Sequence, residues 1–292
     1  MIDTTHEKNV REFYTRWTSH LLPFWDVDET LCLHHGFFEP GIHSFKDAVL
    51  NMNQFVGSLL GLNEQKPMKI LDAGCGLGGV SIFFAEHFPQ SFFIGITLAD
   101  EHVKLAQFFS HQRRLSNVDF QTKNFLETGF PDGYFDAAFA VESASYATNF
   151  MDFILEMYRI LKPGGRLVVI DGFLRCIPTT DFLKKTYMHF SQGLGGLQFS
   201  LLHEFCQDLQ NTGFSAIEVQ NISRNVRPSF FAHAVVGFPF YIIDSLKKIH
   251  HQNSKQSQIP STSAIRSTSV YGAIVVLKGL LGYYAVTAIK PE

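Results

Sequence analysis

The chain has 292 residues, enough for one large domain with insertions, and a formal net charge of −3. No long basic run appears, so nucleic acid is not an expected partner. Four scattered cysteines without a CxxC pair speak against a disulfide or zinc framework and for a reduced, cytoplasmic setting.

The composition is 46% hydrophobic and 14% aromatic, with 30 phenylalanines against 2 tryptophans. That is more apolar surface than one core needs, and it fits an apolar substrate or a lipid surface. The start, "MIDTTHEKNVREFY", is polar and charged and does not read as a signal peptide. Residues 1–60 read as a helical segment preceding a sheet. "KILDA" (69–73) is a short apolar run ending in Asp72, followed by glycines at 74, 76, 78 and 79. "VSIFFAEHF" has helical spacing, and "SFFIGIT" (91–97) reads as a second buried strand. "EHVKLAQFFSHQRRL" is an amphipathic helix with Val103, Leu105, Ala106 and Phe109 on its apolar side. "VDFQTKN" and "FDAAFAVES" supply two further strands. "NFMDFILEMYRIL" is a helix stopped by the turn Lys162-Pro163-Gly164-Gly165, and "RLVVIDGF" is the fifth strand. Strands alternating with helices predict a parallel sheet with right-handed crossovers.

After residue 173 the pattern changes. Aromatic-rich helical material spans about 179–211, "SAIEVQNIS" (215–223) reads as a sixth strand and "GYYAVTAIKP" as a seventh. Between them lie an apolar stretch from Ser229, a polar linker "HHQNSKQSQIPSTSAIRSTS" and an apolar helix "VYGAIVVLKGLL". The expected fold is α/β, a doubly wound, mostly parallel seven-stranded sheet with helical N- and C-terminal caps. Its parts are a cap (1–60), a cofactor-binding core (61–175) and lid helices with the last two strands (176–292). Residues 270–289 have the length of a bilayer span, but Lys278, Gly279 and Gly282 interrupt them. A helix followed by a buried strand is more economical, and the 230–246 face is the candidate for peripheral membrane contact. Thirteen histidines raise a metal question. "HEFCQ" (203–207) has Gln207 where a second ligand should stand, and His34-His35 and His250-His251 are adjacent pairs that diverge on a regular element. No metal is expected.

"LDAGCGLGG" satisfies GxGxxG through Gly74, Gly76 and Gly79, so a nicotinamide dinucleotide competes for it. Asp72 before the loop, Thr97 and Leu98 where a ribose-binding acid is expected, and "LKPGGRLVVID" after the fourth helix argue otherwise. Together, the glycine loop, "FDAAFAVES" and "LKPGGRLVVID" resemble the class I S-adenosylmethionine-dependent methyltransferases, strongly over about 66–173. The resemblance implies S-adenosyl-L-methionine as cofactor. It places Gly74, Gly76 and Gly78 in a loop bending round the methionine part, Asp72 beneath the loop on the ammonium side, Asn124 and Phe125 at the adenine, and the Ala140 carbonyl at the ammonium. Many members carry an acid for the ribose hydroxyls. Thr97 and Leu98 in its place resemble the subgroup of sterol, tocopherol, prenyl-diphosphate and cyclopropane-forming enzymes, with Asp100 a weak substitute.

"VESASY" resembles the Glu-Ser…Tyr order of prenyl-diphosphate C-methyltransferases. Glu142 would steady a carbocation or take a proton, with Tyr146 beside it; the plain alternative for Glu142 is a helix cap or ion pair. "LCLHHGFFEPG" resembles the segment closing over the cofactor in this subgroup, so Tyr14, Trp17, His34, His35 and Phe37 are pocket candidates, with His189 in the lid region. Packing is an equal alternative for each. The expected acceptor is a mainly apolar small molecule, with C-methylation of an isoprenoid-like olefin leading and N- or O-methylation of an amine, phenol or lipid precursor following. A diphosphate acceptor would need cations such as Lys184, Lys185, Arg224 or Arg227. An NAD-dependent oxidoreductase and a non-catalytic cofactor-binding subunit stand as readings of other classes. Oligomeric state stays open.

Overall fold

A computed structural model of the protein describes residues 4–21, 30–250 and 262–292. Two helices precede the sheet, α1 (Thr4–Leu21) and α2 (Phe45–Leu60). Strands β1 (Lys69–Ala73), β2 (Phe92–Thr97), β3 (Val118–Thr122), β4 (Phe135–Val141) and β5 (Leu161–Leu174) then alternate with α3 (Gly79–His87), α4 (Asp100–Gln112) and α5 (Phe150–Ile160). Helices α6 (Asp181–Gly193) and α7 (Leu202–Thr212) lead to β6 (Ser215–Asn221), helices α8 (Ser223–His250) and α9 (Thr262–Leu277), and β7 (Leu281–Ile289). One sheet holds all seven strands in the order β3-β2-β1-β4-β5-β7-β6. It is parallel except for β7, which runs antiparallel to both β5 and β6.

β1 and β4 are nearly continuous apolar runs because helices cover both faces of the sheet. On one face Val49, Met52 and Val56 of α2 and Phe84 of α3 pack on Ile70, Phe93, Phe139 and Ile170. On the other, Phe153, Ile154 and Met157 of α5 and Phe205 of α7 pack on Leu71, Ala138, Leu167 and Val169. Phe84, Phe139 and Phe153 are fully enclosed. Burial of such a ring stabilises by roughly 1.5–3 kcal/mol.

The chain winds outward from β1 to β3 and then returns to β4 on the other side of β1. Crevices for ligands form where strand order reverses, outside the carboxyl ends of the strands. The segments after β1 and β4 are Gly74–Gly79 and Glu142–Tyr146, so the topology alone brings them together.

Three expectations need correction. Lys162–Gly165 do end α5, but they also open β5 as an irregular start. Gly164 donates to Lys290 O, Lys290 donates back to Gly165 O, and the β4–β5 pairing skips from Phe135↔Leu161 to Ala137↔Arg166. The sixth strand stops at Asn221, because the next residues already belong to a 28-residue helix that absorbs the apolar stretch from Ser229. The linker read as running to residue 269 gives way to helix at Thr262, and residues 251–261 lie outside the described ones. Ser and Thr are poor helix formers, and packing of α9 against α8 and α6 overrides them.

Candidate active site

The loop after β1 is a tight cradle. Gly74 and Cys75 both donate to Ile96 O at 2.9 Å, which ties the loop to the end of β2. Gly74, Gly76 and Gly78 have φ of +99°, +52° and +83°, a region that favours glycine. A Cβ on Gly74 would lie 2.3 Å from Ser143 Cβ, so the loop also depends on the chain after β4. Ser143 Oγ donates to Ala73 O at 2.5 Å and closes that contact.

A cavity opens over the cradle, bordered by Asp72, Gly74, Gly76, Thr97, Leu98, His102 and Phe125. Asp72 is buried and accepts from Ser81 Oγ at 2.7 Å. Burial raises its pKa to about 7, while Ser81 and His34 pull the other way. His34 reaches the same cavity. Its ring nitrogens face Asn53 Oδ1 at 2.9 Å and His35 O at 3.0 Å, two acceptors, which suits the doubly protonated ring. Burial opposes that charge, but Cys32 and Glu142 outweigh it and the pKa is raised.

A second cavity, walled by Phe13, Phe190, Leu194, Leu197, Phe199, Phe230 and Leu281, adjoins the first. Tyr14, Leu33, Glu142 and Tyr146 border both. Glu142 therefore stands at the junction. It is one of four non-glycine residues with positive φ among the described residues, at +53°. Such a conformation costs on the order of 1–3 kcal/mol and persists where its surroundings enforce it. Here Glu142 N–H donates to Ile170 O at 2.8 Å, and its carboxylate accepts from the backbone N–H of His35 at 2.5 Å and pairs with His35 Nδ1 at 2.8 Å. Burial pushes its pKa up, yet the charge and hydrogen bond of His35 prevail and hold it below the usual carboxylate value. His35 is itself fixed by stacking on Phe230 at 4.2 Å. Tyr146 donates its hydroxyl to Leu194 O at 2.9 Å, and burial raises its pKa, so it acts as a neutral phenol.

Other expected site residues sit elsewhere. Gly78 caps α3 behind the cavity, where a Cβ would strike Phe120 at 2.6 Å. Asn124 is engaged outside the cavity lining, donating to Glu7 Oε1 at 2.6 Å and accepting from Leu126 N–H at 2.9 Å. Ala140 is buried in β4, paired with Val169. Phe37 stacks on Phe55 at 4.5 Å in the core, and His189 stacks on Tyr271 of α9 at 5.0 Å, so neither lines the second cavity. Asp100 is exposed at the start of α4. The Trp17 side chain lies outside the described residues. Lys184, Lys185, Arg224 and Arg227 line neither cavity. Among the described residues no cluster of three or more metal-ligating side chains occurs.

Sequence reasoning missed His102, Asp171 and Tyr283. His102 lines the first cavity and Asp171 and Tyr283 the second. Asp171 was findable: it ends the apolar run "VVID" as Asp72 ends "KILD". Tyr283 carried no such signal, because "GYYAVTAI" gives no reason to choose one tyrosine over the other.

This sheet order, with a glycine cradle at the β1 switch, defines the class I methyltransferase fold. Residues 71–169 match the methyltransferase domain family. Tocopherol O-methyltransferase, chloroplastic, of Arabidopsis thaliana is 30% identical over 56% of this chain, which spans about half (49%) of that relative. The solved [4+2]-cyclase SpnF superposes with a TM-score of 0.74 at 24% identity, covering 97% of this chain and 95% of the other. Geranyl diphosphate C-methyltransferase from Streptomyces coelicolor A3(2), in complex with Mg2+, geranyl-S-thiolodiphosphate and S-adenosyl-L-homocysteine, superposes with a TM-score of 0.75 at 18% identity, covering 99% of each chain. The chain carries a class I S-adenosylmethionine-dependent methyltransferase domain. Its residues suit that cofactor: a cradle in which a Cβ on Gly76 would meet only Leu33 among the described residues, a buried carboxylate for an ammonium group, Thr97 and Leu98 at the strand end for a ribose, and the apolar Phe125 for an adenine.

Proposed function

We propose that the protein transfers a methyl group from S-adenosylmethionine to a mainly apolar small molecule, at an electron-rich carbon of an isoprenoid-like olefin. The observation that carries this reading is the junction of the two cavities, where a half-buried, ionised Glu142 faces a space walled by aromatic and aliphatic side chains. When bound, the cofactor supplies an electrophilic methyl on a positively charged sulfur. Asp72 and the backbone at Gly74 and Gly76 would hold its amino-acid end, Thr97 and Leu98 its ribose, and Phe125 its adenine. Asn124 and Ala140 would act indirectly, Asn124 by fixing the loop that presents Phe125.

Attack by an olefin leaves positive charge on carbon. Glu142, kept ionised and aimed by His35, would steady that charge and accept the proton whose loss restores a double bond. The phenylalanine walls would exclude water from the cation, and ring faces add attraction for it. Tyr146 and Tyr14, with ring centroids 5.5 Å apart, would shape the passage between the cavities. Methyl transfer to oxygen is the second reading, favoured by the tocopherol O-methyltransferase match.

Calorimetry with S-adenosylhomocysteine and with NAD tests the cofactor, and binding of NAD alone would sink the proposal. Incubation with methyl-labelled cofactor and a panel of prenols, prenylated phenols and sterols tests the reaction. A new carbon-bound methyl by NMR supports the first reading, and an oxygen-bound one the second. Glu142→Gln should cut turnover by at least ~10²-fold with cofactor affinity retained. Cofactor binding with no transfer to any acceptor would point to a non-methylating use of the fold.

We also propose peripheral contact with a lipid surface. No helix among the described residues is long and apolar enough to cross a membrane. Phe231, Val235, Phe238 and Ile242 are nonetheless exposed, and their spacing puts them on one face of α8.

A further inference from the structure

The first cavity is bordered from above by α1, through Val10, Arg11 and Tyr14. Glu7, Arg11, Tyr14 and Thr18 recur at intervals of four, three and four residues, which puts them on one face of that helix. Near the start of this stripe Glu7 Oε1 accepts from Asn124 Nδ2 at 2.6 Å, in the loop after β3. At its other end Thr18 Oγ1 meets His102 Nε2 at 2.7 Å, on the helix after β2, and Tyr14 rests edge-on against the same ring at 5.2 Å. Arg11 stands between these anchors, so it faces the segments after β2 and β3, where Thr97, Leu98 and Phe125 suit the adenosine end of the cofactor. Its natural ion-pair partner is Glu7, one turn before it, but that carboxylate is taken by Asn124. On the outer side of the helix Lys8 and Glu12 do pair, at 3.8 Å. Arg11 makes no hydrogen bond or ion pair among the described residues.

We propose that Arg11 is a cofactor-binding residue, whose guanidinium closes over the adenosine end from α1 and donates to the ribose hydroxyl oxygens. The inference rests on the cofactor assignment above. A ribose presents two adjacent hydroxyls, which an acid at the end of the second strand commonly engages. Here that end of the cavity offers no carboxylate. The acids lining the cavity are Asp72, which accepts from Ser81, and Glu142, which is held by His35. Asp100 is exposed and outside the lining, and Thr97 Oγ1 accepts from Ala99 N–H at 3.4 Å. A hydroxyl oxygen accepts as well as donates, and a guanidinium carries parallel N–H donors in a fork that can meet two neighbouring oxygens. The bond it makes is charge-assisted and needs no acid beneath the ribose.

The test is calorimetry on the full chain with two probes, S-adenosylhomocysteine and its analogue lacking the ribose 2′-hydroxyl. On the parent protein, loss of that hydroxyl should weaken binding by ~10-fold. Arg11→Ala should weaken S-adenosylhomocysteine by a similar factor and shrink the cost of the missing hydroxyl to about twofold or less. Arg11→Lys keeps the charge without the fork and should recover at most part of that cost. Asp72→Asn is the reference, because it acts at the amino-acid end: it should weaken binding and leave the hydroxyl cost intact. Unchanged S-adenosylhomocysteine affinity in Arg11→Ala would overturn the proposal. So would a hydroxyl cost that survives in Arg11→Ala, the result expected if the guanidinium met only the adenine, or one that vanishes equally in Asp72→Asn. Failure of the parent to bind S-adenosylhomocysteine at all would instead remove the cofactor assignment beneath it.

Discussion

Gly74 carries two requirements at once, a φ of +99° and a contact with Ser143 that leaves no room for a Cβ. Gly74→Ala should therefore displace the segment holding Glu142 and weaken S-adenosylhomocysteine binding by at least ~10-fold, measured by calorimetry. Asp72 makes the pH dependence specific. Its folded pKa is raised to about 7 by burial, so its contribution to stability is present below the unfolded value near 3.8 and is lost as pH rises through 7. Cofactor binding follows the opposite course, because an ammonium needs the ionised carboxylate. Affinity for S-adenosylhomocysteine should rise between pH 6 and 8, and Asp72→Asn should flatten that rise and weaken binding. The glycines and Asp72 were legible in the sequence because their spacing is local. The place of Tyr283 in the second cavity was not, because it depends on how β7 lies beside β5.

At the level of elements, α1 is held to α4 by a buried contact between Thr18 Oγ1 and His102 Nε2 at 2.7 Å. Burial lowers the His102 pKa to about 4. A depressed imidazole contributes stability that is present above the unfolded value near 6.5 and is lost as pH falls through 4. The melting temperature of His102→Gln relative to the parent should therefore improve as pH drops from 6.5 to 4, since glutamine keeps a hydrogen bond without taking a proton. A constant difference across that window would refute the assignment. Apolar periodicity placed Val103 and Ala106 on the buried face of α4, and it could not place His102 and Ser110, which are buried there too. Polar side chains join a core only when a partner on another element meets them. The same limit hid the start of α9 at Thr262, where packing on α8 and α6 overrides the weak helix propensity of Ser and Thr.

For the whole molecule, the exposed stripe on α8 leads to a solution measurement. The parent should co-sediment with anionic phospholipid vesicles, and the double substitution Val235→Asp with Phe238→Asp should reduce the bound fraction by about tenfold while S-adenosylhomocysteine binding is retained. Equal sedimentation of parent and variant would remove the lipid contact. The amino-acid sequence by itself determined the alternation of strands and helices, the glycine cradle, the acid beneath it and the placement of "AVESASY" after the fourth strand, because each follows from residue spacing along one or two adjacent elements. Only the tertiary structure decided that Glu142 is strained, paired with His35 and shared by two cavities, that Phe37 and His189 pack away from the second cavity, and that Asp171 and Tyr283 line it. Those facts are set by strand order, which brings β7 from the far end of the chain against β5, and no spacing in the sequence encodes which side chains meet across that ladder.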